Sequence, residues 1–395
     1  GVEALRSVLH RHAQQLTQRS SDGYFRLAVD RAFTLKGVGL VVTGMVFSGQ
    51  ALLDENLIVS SSGAQVRVRG IRSHNEDSGK ALVGERCAIN IAGRGVGEDS
   101  VHRGDWLLQP PLYAPTRRIN VDLKVLASES NALKHWTPTH LHIGADHLSA
   151  RVAILEGGNI AAGDRGLAQL VFERDAFVVH GDRFVLRDQS AQRTIAGGRV
   201  IDPFSPKRGR ARPTRIAALQ AMRQTDPLDV LSGLCAISET GVSLESFAVA
   251  HNLRETQIDE MTQLLSLTRV GRSPNQWLFE PEQWQALCRR VEASVQAYHE
   301  AKPSEPGANL RDIELTVKPH VDTALIEWAT QTLVQQKNLS KRGTRFHLPS
   351  HTIQVSERDR QLWARAIPKL APSDGSPLSL HQAAEELGVD KKILE

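Results

Sequence analysis

Arginines stand where this sequence could grip an anion. Residues 185–200 read as the edge of a barrel, are rich in glycine and small side chains, and carry Arg187, Arg193 and Arg199. Small residues let a phosphate backbone come close, and guanidinium groups pair with phosphate through parallel hydrogen bonds. A local surface pair between Arg187 and Asp188 is the competing reading of the same charges. A second candidate joins residues 25–33 and 85–93, which alternate apolar and polar side chains at period two and predict strands with one face in a core. Phe25, Leu27 and Val29 point one way and Asp30 the other; Cys87, Ile89 and Ile91 point one way and Arg86 the other. On pattern alone, charges at such strand ends make rim salt bridges. His140 and His142 share a strand face, with His147 close by, a grouping that permits zinc. No cysteine or carboxylate stands at a familiar ligand spacing, so a structural or RNA-facing role is the other reading. Residues 39–44 have the outline of a phosphate-binding loop, but Met45 and Val46 stand where lysine and Ser/Thr are required. Their β-branched interior belongs in a strand, and no other phosphate-loop motif occurs.

The elements that must position these residues fall into two architectures. The chain has 395 residues, enough for two to four domains, and 41% of them are apolar with no run of membrane-spanning length. These features predict a soluble protein. Residues 1–19 read as an amphipathic helix with Leu5, Val8, Leu9, His12 and Leu16 on one side, not as a signal peptide. Cys87, Cys235 and Cys288 form no close pair and read as reduced core residues of a cytoplasmic protein. From Tyr24 to about Pro203, short alternating runs separated by glycine predict antiparallel barrels. Prolines 110, 111 and 115 divide them into two of about 90 residues, a usual domain size. The net charge is only +4, but Lys207, Arg208, Arg210, Arg212 and Arg215 crowd one segment without an acid. That segment suits a polyanion partner or a solvated, mobile linker.

Beyond it the period turns helical. Residues 244–252 and 255–265 predict a helix-turn-helix, with 268–270 and 276–279 as a wing. Residues 309–315, 319–336, 339 and 345–348 repeat the scheme. A third copy begins with 356–368 and 380–388. Repeats near 70 residues predict independent winged-helix domains. The first recognition helix carries Glu255, Asp259 and Glu260, and the second Asp322 and Glu327; phosphate repels such helices, which argues against entry into a DNA groove. Only the third, with Lys391 and Lys392, suits nucleic acid.

Residues 25–44, 84–93 and 184–203, with His102–Leu108 between them, resemble the barrels of translational elongation factors, most closely the bacterial selenocysteine-specific elongation factor. The resemblance covers nearly the whole chain and implies a multidomain fold: two antiparallel β-barrels like domains II and III of elongation factor Tu, then α+β winged-helix repeats. It implies the last helix of a GTPase domain at 1–20, barrels at 21–114 and 115–205, a basic linker and winged helix at 206–281, a second winged helix at 282–350 and a partial third at 351–395. The expected activity is delivery of selenocysteinyl-tRNA to the ribosome at recoded UGA codons. The partners it implies are that tRNA, the ribosome and a messenger-RNA hairpin read by the last winged helices, with no membrane and a monomeric state. GTP and magnesium belong by resemblance to the GTPase domain, and no cofactor is expected in this chain, which reads as part of a longer factor.

By resemblance, Asp30, Arg31 and Arg86 line the pocket for the aminoacyl side chain. A selenol ionises more readily than a thiol, and a seryl hydroxyl does not ionise. Two guanidinium groups in a partly dry pocket stabilise a selenolate, whereas serine leaves their charge unmatched. Adjacent Asp30 and Arg31 can share a pocket only where the strand ends or twists. The expected tRNA contacts are Arg187, Arg193, Thr194, Gly197 and Arg199, with a weaker RNA contact at Lys391 and Lys392. Two other functions fit parts of the pattern: a general translation factor for standard aminoacyl-tRNA, and a winged-helix regulator that binds nucleic acid.

Overall fold

The computed structural model describes residues 1–15, 21–317, 321–354, 357–370 and 378–390, in two units, Gly1–Glu280 and Pro281–Glu395. Helix α1 (Val2–Gln15) is amphipathic as expected, and its Val2, Leu5, Val8 and Leu9 are exposed. The first barrel uses β1 (Arg26–Leu35), β2 (Gly39–Ser48), β3 (Gln50–Leu52), β4 (Asn56–Val59), β5 (Gln65–Ser73), β6 (Glu76–Ser78), β7 (Lys80–Leu82), β8 (Arg86–Ala92) and β9 (Trp106–Leu108). Six of these form a closed antiparallel ring, β4-β9-β1-β2-β8-β5, sealed by the β4–β5 pairing. Period-two alternation drives closure: Phe25, Leu27, Val29, Val42, Leu57, Val68 and Ile89 are fully buried. Each such side chain contributes about 1.5–3 kcal/mol relative to exposure. Residues 39–44 lie in β2, paired on both sides, so their amides are committed to the ladder and cannot cradle a phosphate.

Strands β10 (Thr116–Val125), β11 (Leu133–Lys134), β12 (Thr137–Ile143), β13 (Asp146–Ile154), β14 (Asn159–Ile160), β15 (Arg165–Ala176), β16 (Arg183–Arg187) and β17 (Thr194–Asp202) build the second barrel. Its ring is β10-β15-β13-β12-β16-β17, closed by β17 on β10. The glycine-rich run is therefore not an edge, because β17 is paired on both sides. Gly198 is required there: a Cβ would collide with the carbonyl oxygen of Asp122 on the neighbouring strand.

The two barrels meet over a cluster of Ala28, Trp106, Leu108, Leu112 and Phe177. Arg26 spans the junction with two bonds to Asp182, Nη1 to Oδ1 at 3.0 Å and Nη2 to Oδ2 at 2.6 Å, its guanidinium 4.5 Å from the Trp106 ring centroid.

The same unit continues with α2 (Pro213–Ala221), α3 (Pro227–Ile237), β18 (Val242–Ser243), α4 (Leu244–His251), α5 (Glu255–Leu264), β19 (Thr268–Arg272) and β20 (Asn275–Phe279); α4, α5, β19 and β20 fall where the helix-turn-helix and wing are expected, and α2, α3 and β18 are additional. Asp226 and Ser243 cap α3 and α4 by accepting from Leu228 N and Ser246 N. Such caps are worth about 1 kcal/mol each. The basic segment before α2 differs from the expected mobile linker because barrel side chains hold it. Ser205 Oγ donates to Asn120 Oδ1 at 2.9 Å, Gln169 Nε2 donates to the Pro206 carbonyl at 3.1 Å, and Arg215 is ion-paired with Asp202. Leu219 of α2 is fully buried against Leu155, Leu167 and Ile201.

The second unit starts with α6 (Pro281–Ala301), a helix that the expected helix-turn-helix repeat at 309–348 leaves out and that precedes it as α3 precedes α4. Then come α7 (Leu310–Thr316), α8 (Thr323–Gln335), the hairpin β21 (Ser340–Arg342) and β22 (Arg345–His347), α9 (Glu357–Leu370) and α10 (Leu380–Leu387). The expected helix at 319–336 begins at Thr323, where Asp322 caps it by accepting from Ala324 N at 2.8 Å. Lys391 and Lys392 lie outside the described residues.

Candidate functional site

The register of β1 against β2 slips at one place. Val29 pairs with Gly44 and Arg31 with Thr43, so Asp30 is the extra residue of a β-bulge. A bulge bends the strand and re-aims its side chains, which supplies the twist that adjacent Asp30 and Arg31 need in order to share a surface. Gly44 makes this possible, since a Cβ there would collide with the Ala28 carbonyl. Asp30 is held from three directions. Thr43 Oγ1 donates to its Oδ1 at 2.6 Å; Arg86 donates from Nε to Oδ2 at 2.9 Å and from Nη2 to Oδ1 at 2.9 Å. Arg86 Nη2 also lies 3.3 Å from Thr43 Oγ1. Burial pushes the Asp30 carboxyl up, but the hydrogen bonds from Arg86 and Thr43 and the charges of Arg86 and Arg31 outweigh it, and its pKa lies below the usual value. The bond to Asp30 raises the Arg86 pKa in turn. Arg31 is exposed and has no ion-pair or hydrogen-bond partner among the described residues.

Asp30, Arg31 and Arg86 are thus brought together, as the sequence suggests, and Thr43 joins them unforeseen. The rim-pair reading of Arg86 is also met, since its side chain is 53% exposed. The two readings describe one geometry. Arg86 binds the Asp30 carboxylate and the charge of Arg31 also acts on it, which leaves net positive charge facing solvent, with Arg86 Nη1 unengaged among the described residues. Such a cluster can take up a small anion.

The arginines of the second barrel are individually engaged. Arg187 Nη2 donates to the Gln192 carbonyl at 3.0 Å. Arg193 pairs with Glu129 at 2.8 Å and Asp188 at 3.5 Å. Arg199 donates to Thr225 Oγ1 at 2.9 Å and to the Arg223 carbonyl, reaching the first winged helix. Thr194 is exposed and pairs opposite Arg187, while Gly197 lies opposite Lys124 and Val185. A guanidinium has five N–H donors, so each arginine keeps donors for a ligand. His142 and His147 are cross-strand partners with ring centroids 6.2 Å apart, and His140 Nε2 is 3.1 Å from the Gln189 carbonyl. Burial first, then the charges of Arg187, His147 and His140, lower the His142 pKa. No group of three metal-ligating side chains is placed to hold an ion among the described residues.

The first winged helix is committed to docking. Asn252, left-handed at φ 54° in the helix-turn-helix turn, accepts from Tyr24 N at 2.7 Å and donates to Ser48 Oγ at 2.8 Å. Arg254 donates to the Asp22 carbonyl at 2.7 Å and covers the Tyr24 ring at 4.8 Å. On its recognition helix Glu255 and Asp259 both bind Arg269 of the wing, at 3.1 and 2.9 Å, which offsets one of the negative charges and leaves the helix acidic, in keeping with the argument against a DNA groove.

Tandem six-stranded barrels followed by a docked winged helix define a barrel-pair module of the translation-factor type. A crystal structure of a bacterial selenocysteine-specific elongation factor has this fold: it matches 100% of this chain and 60% of that chain with a TM-score of 0.65 at 18% identity. The family model described as "Selenocysteine-specific elongation factor, beta-barrel domain" matches residues 120–207. The selenocysteine-specific elongation factor of Escherichia coli (strain K12) is 32% identical over 399 residues, covering 100% of this chain and 60% of the relative. That of Haemophilus influenzae is 26% identical over 394 residues, covering 100% and 61%. The chain belongs to the selenocysteine-specific elongation factor family, and it spans about 60% of the length of the curated relatives it matches.

Proposed function

We propose that this chain is the tRNA-binding and winged-helix part of a factor that delivers selenocysteinyl-tRNA to the ribosome at recoded UGA codons. The observation that carries the reading is the Asp30 bulge, where Arg86 and Arg31 flank one carboxylate at a half-exposed site. A selenolate entering there replaces water around the guanidinium groups and meets the unengaged Nη1 of Arg86. A seryl hydroxyl brings no charge and leaves them unmatched, which is how a site discriminates by large factors. Asp30 keeps the empty site from holding two uncompensated cations. Arg187, Arg193, Thr194, Gly197 and Arg199 contact tRNA phosphates irrespective of the amino acid.

The other partners follow from the same family reading: the ribosome, a messenger-RNA hairpin for the last winged helices through Lys391 and Lys392, a monomeric state and a cytoplasmic setting. No described helix is long and apolar enough to cross a membrane. GTP and magnesium belong to a GTPase domain. The described residues do not fit them, since the one run resembling a phosphate loop is spent in β2. A general factor for standard aminoacyl-tRNA is the lesser reading, because the full-length relatives are selenocysteine-specific. The test is a competition between selenocysteinyl-tRNA and seryl-tRNA of identical tRNA sequence for the whole factor. A preference of tenfold or more for the selenocysteinyl form is expected at neutral pH, and equal affinity rules the pocket out.

A further inference from the structure

On the outer face of the second barrel, a depression of about 480 Å³ is lined by Lys124, Leu126, Arg165, Arg183, Gly197, Gly198 and Arg199, with no acidic residue among them. The sheet sets like charges directly opposite one another: Lys124 pairs across to Arg165, and Arg183 to Arg199. Directly opposed like charges destabilise a sheet. Beneath them Asp122, 3% exposed, is shared by Arg165 Nη1 and Arg223 Nη2 at 3.1 Å each. Its single charge offsets one of those two arginines and leaves the group net positive. Lys124 and Arg183 have no ion-pair or hydrogen-bond partner among the described residues. Between the two cationic pairs lies Gly197, opposite Lys124, so the floor of the depression is bare backbone.

We infer that this depression is a second RNA site of the chain, which holds a phosphodiester backbone through Lys124, Arg165 and Arg183. Lys124 and Arg199 are diagonal neighbours on adjacent strands, a separation of about 7–8 Å, which suits successive phosphates of one strand. The side-chain-free floor at Gly197 lets the backbone come close. Arg183, Val185 and Arg187 share one face of β16 by alternation, and four residues of strand span about 13 Å. The depression is thus continuous with Arg187, and this favours RNA over an acidic protein surface. The inference rests on the tRNA reading proposed above and extends it to residues on the side facing the first winged helix.

The experiment measures anisotropy of labelled, unacylated selenocysteine tRNA with the 395-residue chain from 50 to 300 mM KCl. Lys124→Glu/Arg183→Glu is expected to weaken binding about tenfold or more at 100 mM and to shallow the log–log salt slope by about 2, near one for each phosphate no longer neutralised. Lys124→Ala/Arg183→Ala is the milder pair, expected to move both quantities in the same direction, and a matching thermal melt shows that it folds. Arg193→Glu separates the two readings. If Arg193→Glu weakens binding while both double variants bind as wild type, the second site is wrong and the tRNA reading stands. If no variant changes affinity or slope, the tRNA reading falls and this site with it. An acidic protein surface as the true occupant gives the same silence towards RNA and equally overturns the inference.

Discussion

Strand β1 carries two arginine–aspartate pairs. Its first residue, Arg26, holds Asp182 of the second barrel, and four residues on, Asp30 is held by Arg86 of β8. Both pairs are bidentate with bonds of ordinary length, and their surroundings differ entirely. Arg26 and Asp182 have side chains 3% and 9% exposed beneath Trp106, whereas Arg86 and Asp30 are 53% and 32% exposed. A buried pair cannot exchange its partner for a ligand, and removing one member strands a charge in low dielectric. A half-exposed pair holds its geometry loosely against water and can trade contacts with an incoming anion. The same chemistry is thus a weld at one end of the strand and a receptor at the other, and exposure alone assigns the roles.

The largest expected effect breaks the weld. Arg26→Ala leaves Asp182 unpaired at the barrel junction and should destabilise the chain by about 3–5 kcal/mol, measured by urea unfolding. A loss under about 1 kcal/mol, the range of exposed pairs, would show that water reaches Asp182 and that the two pairs do not differ in kind. Next comes the receptor. Arg86→Asn keeps a polar side chain but removes the cation. It should cost about 1.5–3 kcal/mol of affinity for selenocysteinyl-tRNA while seryl-tRNA loses little, as read by competition in the whole factor. Equal losses for both aminoacyl forms would make Arg86 a support for the barrel or the tRNA end.

Strict alternation announces β1 and β8, and with them the outward placement of Asp30 and Arg86, because a period of two leaves one face for the core. The bulge is hidden, since an extra residue is a property of the pairing with Gly44 and Thr43 rather than of β1 itself. Thr43 escapes for that reason. The Arg26–Asp182 pair escapes because its members are 156 residues apart and meet only when two barrels dock. Glycines at 197 and 198 weaken the strand signal, so a closing strand reads as an edge. Helix α6 is readable from Trp284, Leu287, Val291 and Val295 at helical spacing, but a scheme of helix-turn-helix repeats passes over a helix that lies outside the repeat.

A third expectation concerns a titratable contact at another seam of the same unit. The His180 and His251 rings stand 4.3 Å apart where the second barrel meets the first winged helix, with Phe247 at 4.4 Å from His251. His180 Nε2 donates to the Met222 carbonyl at 2.8 Å. Burial, then the charge of His180, pushes His251 down to about 3 from 6.5. Burial lowers His180 too, opposed by its bond to Met222, while Arg199 lowers it and Asp182 raises it. The folded state therefore binds fewer protons than the unfolded one between these values, and stability is full above pH 6.5 and lost as pH falls towards 3. The loss from His251 should reach about 2 kcal/mol by about pH 5. His251→Gln should flatten the melting temperature against pH in that range; an unchanged profile would place the acid sensitivity elsewhere.

The smallest expected effect is the most discriminating for the two pairs on β1. Asp30→Asn, Arg86→Asn and their combination form a double-mutant cycle, with unfolding free energy as the readout. Because both side chains face water, their coupling should be about 0–1 kcal/mol and should shrink in high salt. The depressed Asp30 pKa gives this contribution a pH signature. It is present above the ordinary carboxyl value of 3.8 and is lost as pH falls through the lower folded value. The matching cycle on Arg26 and Asp182 should give several kcal/mol, little affected by salt, since neither charge is screened. A coupling above about 2 kcal/mol for Asp30 and Arg86, beyond the exposed range and insensitive to salt, would mean that the receptor pair is also a weld. A selenolate would then have to break a structural bond to enter, and the pocket would have to be sought around Arg31 alone.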